Sequence, residues 1–66
     1  MKIELNGQPH ELAPGISVAQ LLADLELDLR YLAVERNLQL VPRTELAEAM
    51  LTEGDRLEVV TLVGGG

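Results

Sequence analysis

Asn6-Gly7 stands between two short alternating segments and decides what the first part of the chain can be. Both central positions of a two-residue hairpin turn require positive φ, and Asn-Gly meets that requirement readily. Before the turn, Ile3 and Leu5 alternate with Lys2 and Glu4, the period of a strand with one buried face. After it, Gln8 to Ala13 is a weaker return strand. Pro9 cannot donate to a ladder, which predicts a sheet edge, and Pro14-Gly15 ends the strand. A lone hairpin is marginal in water. The rest of the chain must cover its apolar face.

The next segment can supply that cover. In "ISVAQLLADLEL", Ser17 is a good N-cap, and Gln20 three residues later completes a capping box. Ile16 and Leu21 are spaced for a hydrophobic staple. Val18, Leu21, Leu22 and Leu25 then fall at i, i+3, i+4 and i+7, which predicts a helix with one buried face. "LAVERNLQLVPR" returns to strand character, with Leu32 and Val34 alternating against Ala33 and Glu35. Asn37 suggests a tight turn, and Leu40-Val41 a very short strand cut off by Pro42. Thr44 can cap a short second helix with Leu46, Ala47, Met50 and Leu51 on one side. Gly54-Asp55 is a turn, and Arg56 to Val63 is the last and most apolar strand.

Strand, strand, helix, strand, short strand, short helix and strand must be joined without knots or left-handed crossovers. The compact solution is an α+β chain of the β-grasp, ubiquitin-like kind. It has a mixed sheet of four to five strands, one main helix packed on one face and one short helix. The expected organisation is a domain over 1–63 followed by a flexible glycine tail over 64–66.

The core of that domain is constrained by what is missing. The chain has 66 residues, no Cys, no Phe, no Trp and one Tyr. Disulfides and thiolate metal sites are excluded, and Leu, Val, Ile and Ala must fill the interior. Eleven acids against five bases give a net charge of -6, which disfavours nucleic acid and favours a partner with a basic surface. No stretch is long enough to span a bilayer and the start lacks the apolar run of a signal peptide. The expectation is a cytoplasmic protein.

Internal chemistry is sparse. His10, the single histidine, falls on the edge strand and reads as a solvated surface residue. No Ser-His-Asp or Cys-His set can be assembled, and there is no phosphate-binding loop. Asp24, Glu26, Asp28 and Glu35 mimic the spacing of a calcium loop, but Leu29 stands where that loop needs glycine. No metal site and no catalytic residue are expected.

The end of the chain is different. In the last strand Leu57, Val59, Thr61 and Val63 share one face, and Arg56, Glu58, Val60 and Leu62 the other. The second face therefore begins polar and turns apolar. Either this end is buried on both sides or it presents an apolar patch. "GGG", Gly64 to Gly66, follows. Glycine-rich ends are commonly linkers or disordered ends. Glycines also pass through a slot too narrow for side chains, and three extended residues reach about 10 Å. The α-carboxylate of Gly66 would be sterically open. Activated as a mixed anhydride with AMP it becomes an electrophile, and displacement of AMP by sulfide would leave a nucleophilic thiocarboxylate. None of these steps needs a catalytic residue in this chain.

"MKIELNGQPHEL", "SVAQLLADL", "AVERNLQLVPRTEL" and "GDRLEVVTLVGGG" together resemble the ThiS family, the ubiquitin-like sulfur carriers of thiamine biosynthesis. The resemblance covers essentially the whole chain, and the last two motifs are the most specific. It implies a β-grasp fold and a terminal carboxylate, here that of Gly66, adenylated by an E1-like adenylating enzyme using ATP and magnesium. The carboxylate would then be sulfurated through a sulfur-donating protein. It implies delivery of sulfur to thiazole synthase. Gly65 is the motif partner of Gly66, Gly64 is an additional glycine, and both would enter the partner's active site. Val60, Leu62 and Val63 would belong to the docking surface. No cofactor would be held by the chain itself. The small subunit of molybdopterin synthase, with the same tip and a different acceptor, is the neighbouring reading. A non-catalytic β-grasp interaction module, such as an RNA-binding regulatory domain, is the reading from another class.

Overall fold

The computed structural model describes residues 1–62. Strand β1 (Lys2–Leu5) and strand β2 (Gln8–Glu11) form the expected hairpin, antiparallel from Lys2 opposite Glu11 to Leu5 opposite Gln8. Asn6 and Gly7 both take positive φ, 49° and 80°, as a type I′ turn demands. Pro9 lies on an edge strand, because the sheet order is β2-β1-β5-β3-β4. His10 is half-buried opposite Ile3, rather than fully solvated. The register puts it on the helix-facing side of the sheet edge.

Helix α1 (Val18–Asp24) starts where Ser17 caps it, with the Ser17 Oγ accepting from the Gln20 N–H at 3.1 Å. Half of the capping box is made; the Gln20 side chain donates instead to Asp24 Oδ1 at 2.9 Å. The first helical N–H groups, which have no partner inside a helix, are met by another segment. Val18 donates to the Ala49 carbonyl and Ala19 to the Leu46 carbonyl. The helix ends at Leu25 with Glu26 in the left-handed region, φ 61°. Glu26 N–H donates to the Ala23 carbonyl and Leu27 N–H to the Leu22 carbonyl. That is a Schellman closure built on glutamate instead of glycine. Val18, Leu21 and Leu22 are buried; Leu25 is only half-buried.

After a short 3-10 turn (Leu29–Tyr31), strands β3 (Leu32–Arg36) and β4 (Gln39–Val41) form a second hairpin. Its two turn residues, Asn37 and Leu38, also have positive φ, 52° and 71°. The short helix expected from Thr44 is not formed. Arg43–Glu45 is a single 3-10 turn whose N-cap is Pro42, with no side-chain cap bond. Pro42 fixes the entry two residues earlier than Thr44. The carbonyls of Leu46 and Ala49 serve the start of α1, so they are not available for a continuing ladder. Leu46 and Leu51 are buried, whereas Ala47 and Met50 are exposed.

Strand β5 (Arg56–Thr61) closes the fold as the central strand. It runs parallel to β1, pairing Glu4 with Arg56 and Leu5 with Leu57, and antiparallel to β3 from Leu32 opposite Thr61 to Arg36 opposite Leu57. A five-stranded mixed sheet with α1 packed on one face is the β-grasp arrangement. Ile3, Leu32, Val34 and Leu57 from the sheet meet Val18, Leu21 and Leu22 from the helix, with Leu46 and Leu51 filling the edge. Each such side chain contributes roughly 1.5–3 kcal/mol on burial.

Candidate functional site

The end of β5 is where the chain presents something other than a filled scaffold. Along this strand Leu57 is buried and Val59 half-buried on the helix side, while Arg56, Glu58 and Val60 are exposed on the open side. Of the two outcomes left open by the alternating pattern, the apolar patch is the one found. Val60 is 57% exposed and Leu62 50%. Two large apolar side chains are thus kept in water close together on one face.

The strand is held firmly up to that point. On one side β3 pairs with it, and beyond the last pair Leu62 N–H donates to the Tyr31 carbonyl at 2.6 Å. On the other side β1 stops at Leu5, and Asn6 takes over. Asn6 N–H donates to the Leu57 carbonyl at 2.8 Å. The Asn6 side chain then accepts from Val59 N–H at 2.7 Å and donates to the Val59 carbonyl at 3.3 Å. A side-chain amide thus stands in for one more residue of strand. Of the residues expected to act here, Val60 and Leu62 lie on this exposed end. Val63, Gly64, Gly65 and Gly66 fall outside the described residues.

The turn that launches β5 is fixed by a buried acid that the sequence did not disclose. Asp55 is 5% exposed. Its Oδ2 accepts from Thr52 N–H at 2.9 Å and Arg36 Nε at 3.0 Å; its Oδ1 accepts from Asn37 Nδ2 and Thr52 Oγ1, each at 3.1 Å. Arg36 Nη2 also reaches Asp55 Oδ2 at 2.8 Å and the Met50 carbonyl at 2.7 Å. Burial pushes the Asp55 carboxyl up, but hydrogen bonds from Thr52, Asn37 and Arg36 outweigh it and leave the group below its ordinary value. A signal was present in Asn37 and Asp55, both turn formers. Their joining needed the register of β3 against β5.

Asp28, one of the acids with calcium-like spacing, caps the Leu29–Tyr31 turn and pairs with Arg30 at 2.8 Å. Hydrogen bonding from Arg30 holds its carboxyl down at about 2. Among the described residues no group of three or more His, Cys, Asp or Glu could hold a metal ion. Among them, too, no helix is long and apolar enough to cross a membrane. An open concavity of about 590 Å³ beside β4 is lined in part by Arg36, Leu40, Glu45 and Glu48. Its one cation, Arg36, is already committed to Asp55.

A model described as the ThiS family matches residues 3–66. The whole chain is 41% identical, over 66 residues, to part of a thiazole synthase of Paramagnetospirillum magneticum, covering 100% of this chain and 20% of that protein. The chain thus spans about a fifth of the length of the first curated relatives it matches. It is 32% identical over 66 residues to the sulfur carrier protein ThiS of Escherichia coli K12, covering 100% of both chains. The crystal structure of a thiamine biosynthesis protein, ThiS, from Geobacter metallireducens superposes with a TM-score of 0.86 at 29% identity, over 100% of both chains.

Proposed function

The chain belongs to the ThiS family of sulfur carriers for thiamine biosynthesis, and on that premise we propose that the carboxylate of Gly66 is the group that carries the sulfur. An E1-like adenylating enzyme supplies magnesium and ATP. The carboxylate oxygen attacks the α-phosphorus, pyrophosphate leaves, and an acyl adenylate remains on Gly66. Sulfide released by a sulfur-donating protein then displaces AMP, and the terminus becomes a thiocarboxylate. The sulfur passes to thiazole synthase. This chain is a co-substrate throughout: it supplies the acyl group and the grip, and its partners supply the catalytic residues.

The observation that carries this reading is the exposed apolar end of β5, Val60 and Leu62, at the point where the chain runs on toward the glycines. A central strand held on both sides gives the following residues a defined origin. The match over 100% of both chains with a protein named sulfur carrier protein ThiS supports a carrier role for this chain. For the acceptor, two relatives named thiazole synthase contain a stretch 41% and 42% identical to this whole chain. Carrier-like and synthase parts on one polypeptide would raise their effective concentration for transfer. These names favour the thiazole branch over the molybdopterin one.

Removal of Gly65 and Gly66 provides the test in cells. The shortened chain should fold as before and fail to support growth without thiamine. Normal growth would show that the terminus is not the working group.

A further inference from the structure

Lys2 is the only lysine in the sequence, and there is no cysteine. The primary amines of the chain are therefore the Lys2 Nζ and the α-amine of Met1. Both belong to one end of the sheet. Strand β1 runs parallel to β5 with Glu4 opposite Arg56, so Lys2 falls behind the start of β5. Its carbonyl accepts there from Gly54 N–H at 2.8 Å. The Met1 amine donates to the Leu12 carbonyl at 2.7 Å, and Leu12 N–H donates back to the Met1 carbonyl at 2.9 Å. His10, opposite Ile3, lies at the same end.

The last residues leave from the other end. Leu62, beyond β5, is still held there by the Tyr31 carbonyl. Lys2 lies about 7 Å behind the level of Arg56, and Arg56 to Leu62 advances the chain by about 20 Å, at roughly 3.3 Å per residue. Val63 to Gly66 span at most about 14 Å when extended. An extended lysine side chain adds about 6 Å, and the two together fall short of closing the gap. Near the exit stand hydroxyls instead, those of Thr61 and Tyr31, which are weak nucleophiles unless a base activates them.

We infer that this separation is a specificity determinant of the transfer chemistry: the fold holds its amines beyond the reach of its own activated Gly66, so that the acyl group is left for an external sulfur nucleophile. The inference rests on the carrier reading. The reaction kept out is aminolysis. An unprotonated amine would attack the Gly66 acyl carbon, AMP would leave with the bridging oxygen, and the amine would release a proton to water. The chain would close into a ring lighter than the free acid by one water, and its terminus would be lost as an inert amide. A tethered amine within reach acts at an effective concentration on the order of millimolar, so its placement decides the outcome. Attack between two copies is opposed by the net charge of -6 on each.

The test uses the full chain with a Gly66 α-thioester, made by intein cleavage, as an electrophile that needs no partner. Intact mass and fragmentation identify the product at mildly alkaline pH. The folded wild type should hydrolyse to the free acid without forming a ring. Unfolded in guanidinium chloride, the same thioester should close on Met1 or Lys2. Glu58→Lys moves an amine to an exposed position on β5, about 13 Å behind Leu62. It stands opposite Glu35, so the change replaces a like-charge pair by an opposite one. The folded variant should form a ring at that lysine on the order of tenfold faster than the folded wild type.

Ring closure on Lys2 or Met1 in the folded wild type, as fast as in denaturant, overturns the inference. So does a wild type that forms no ring even when unfolded, because the fold is then not what prevents it. A Glu58→Lys chain that thermal unfolding shows to be folded, yet forms no ring, overturns it too, as does a covalent dimer acylated at Lys2. A parallel reaction of the wild type with the adenylating enzyme and magnesium ATP separates the two claims. No pyrophosphate release defeats the carrier reading and this inference with it. Pyrophosphate release beside ring closure in the folded wild-type thioester defeats the inference alone.

Discussion

The side chain of Asn6 pairs with the backbone of Val59 through both its atoms, at 2.7 and 3.3 Å, and so extends the β1 edge by one residue it does not have. Asn6 also holds positive φ, 49°. Asn6→Gly keeps that conformation open and removes only the side-chain bonds. It should cost about 1–2 kcal/mol. Amide exchange at Val59 should quicken more than at Leu22, because the opening is local. Equal acceleration at both would mean that Asn6 supports the whole fold rather than the emerging strand.

Leu38 is a bulky residue at φ 71° and is 83% exposed. A left-handed conformation costs a non-glycine residue roughly 1–2 kcal/mol, and a type I′ turn prefers glycine at this second position. Leu38→Gly should therefore raise stability by about 1 kcal/mol, less any entropy that glycine loses on folding. A urea midpoint that falls would show that Leu38 makes contacts that compensate its strain.

Asp55 ties the β5 launch to the β3–β4 turn as an ionised group. Its folded value lies below the ordinary carboxylate value of about 4. The stability it contributes is thus fully present above that pH and is lost as pH falls through the lower folded value. Asp55→Asn should be less stable than wild type at pH 7 by on the order of 3 kcal/mol, because Arg36 loses its anion. The gap should narrow on acidification below about pH 4. Denaturant unfolding at several pH values measures it; a gap independent of pH would exclude an ionised Asp55.

Leu57 and Val60 separate fold from surface on a single strand, at 1% and 57% exposure. Leu57→Ala should cost roughly 2–5 kcal/mol, a large part of what holds so small a domain together. Val60→Ser should change stability by no more than about 0.5 kcal/mol and yet weaken partner binding. Thermal unfolding and calorimetric titration read the two effects separately.

Local chemistry was legible from the start. Asn6-Gly7 gave the first hairpin, Pro9 the sheet edge, and Ser17 with the Val18, Leu21 and Leu22 stripe gave the helix. What failed was decided by distant partners. Thr44 promised a helix, but the carbonyls that would have propagated it accept instead from the start of α1. The end of α1 carries glutamate at its left-handed position, so no glycine announced it. At the candidate site, alternation identified Val60 and Leu62 but left burial and exposure equally open, because a central strand can be covered on either face. Asp55 with Arg36, and Glu35 with Glu58, are pairs that only the β3–β5 register brings together.

The measurement closest to the central claim is the mass of the chain after reaction. With the adenylating enzyme, magnesium ATP and a sulfur source, the intact chain should gain the difference between one sulfur and one oxygen, and fragmentation should assign the change to Gly66. Sulfur mapped to any internal residue, or no gain while the partner remains active on another carrier, would contradict the account.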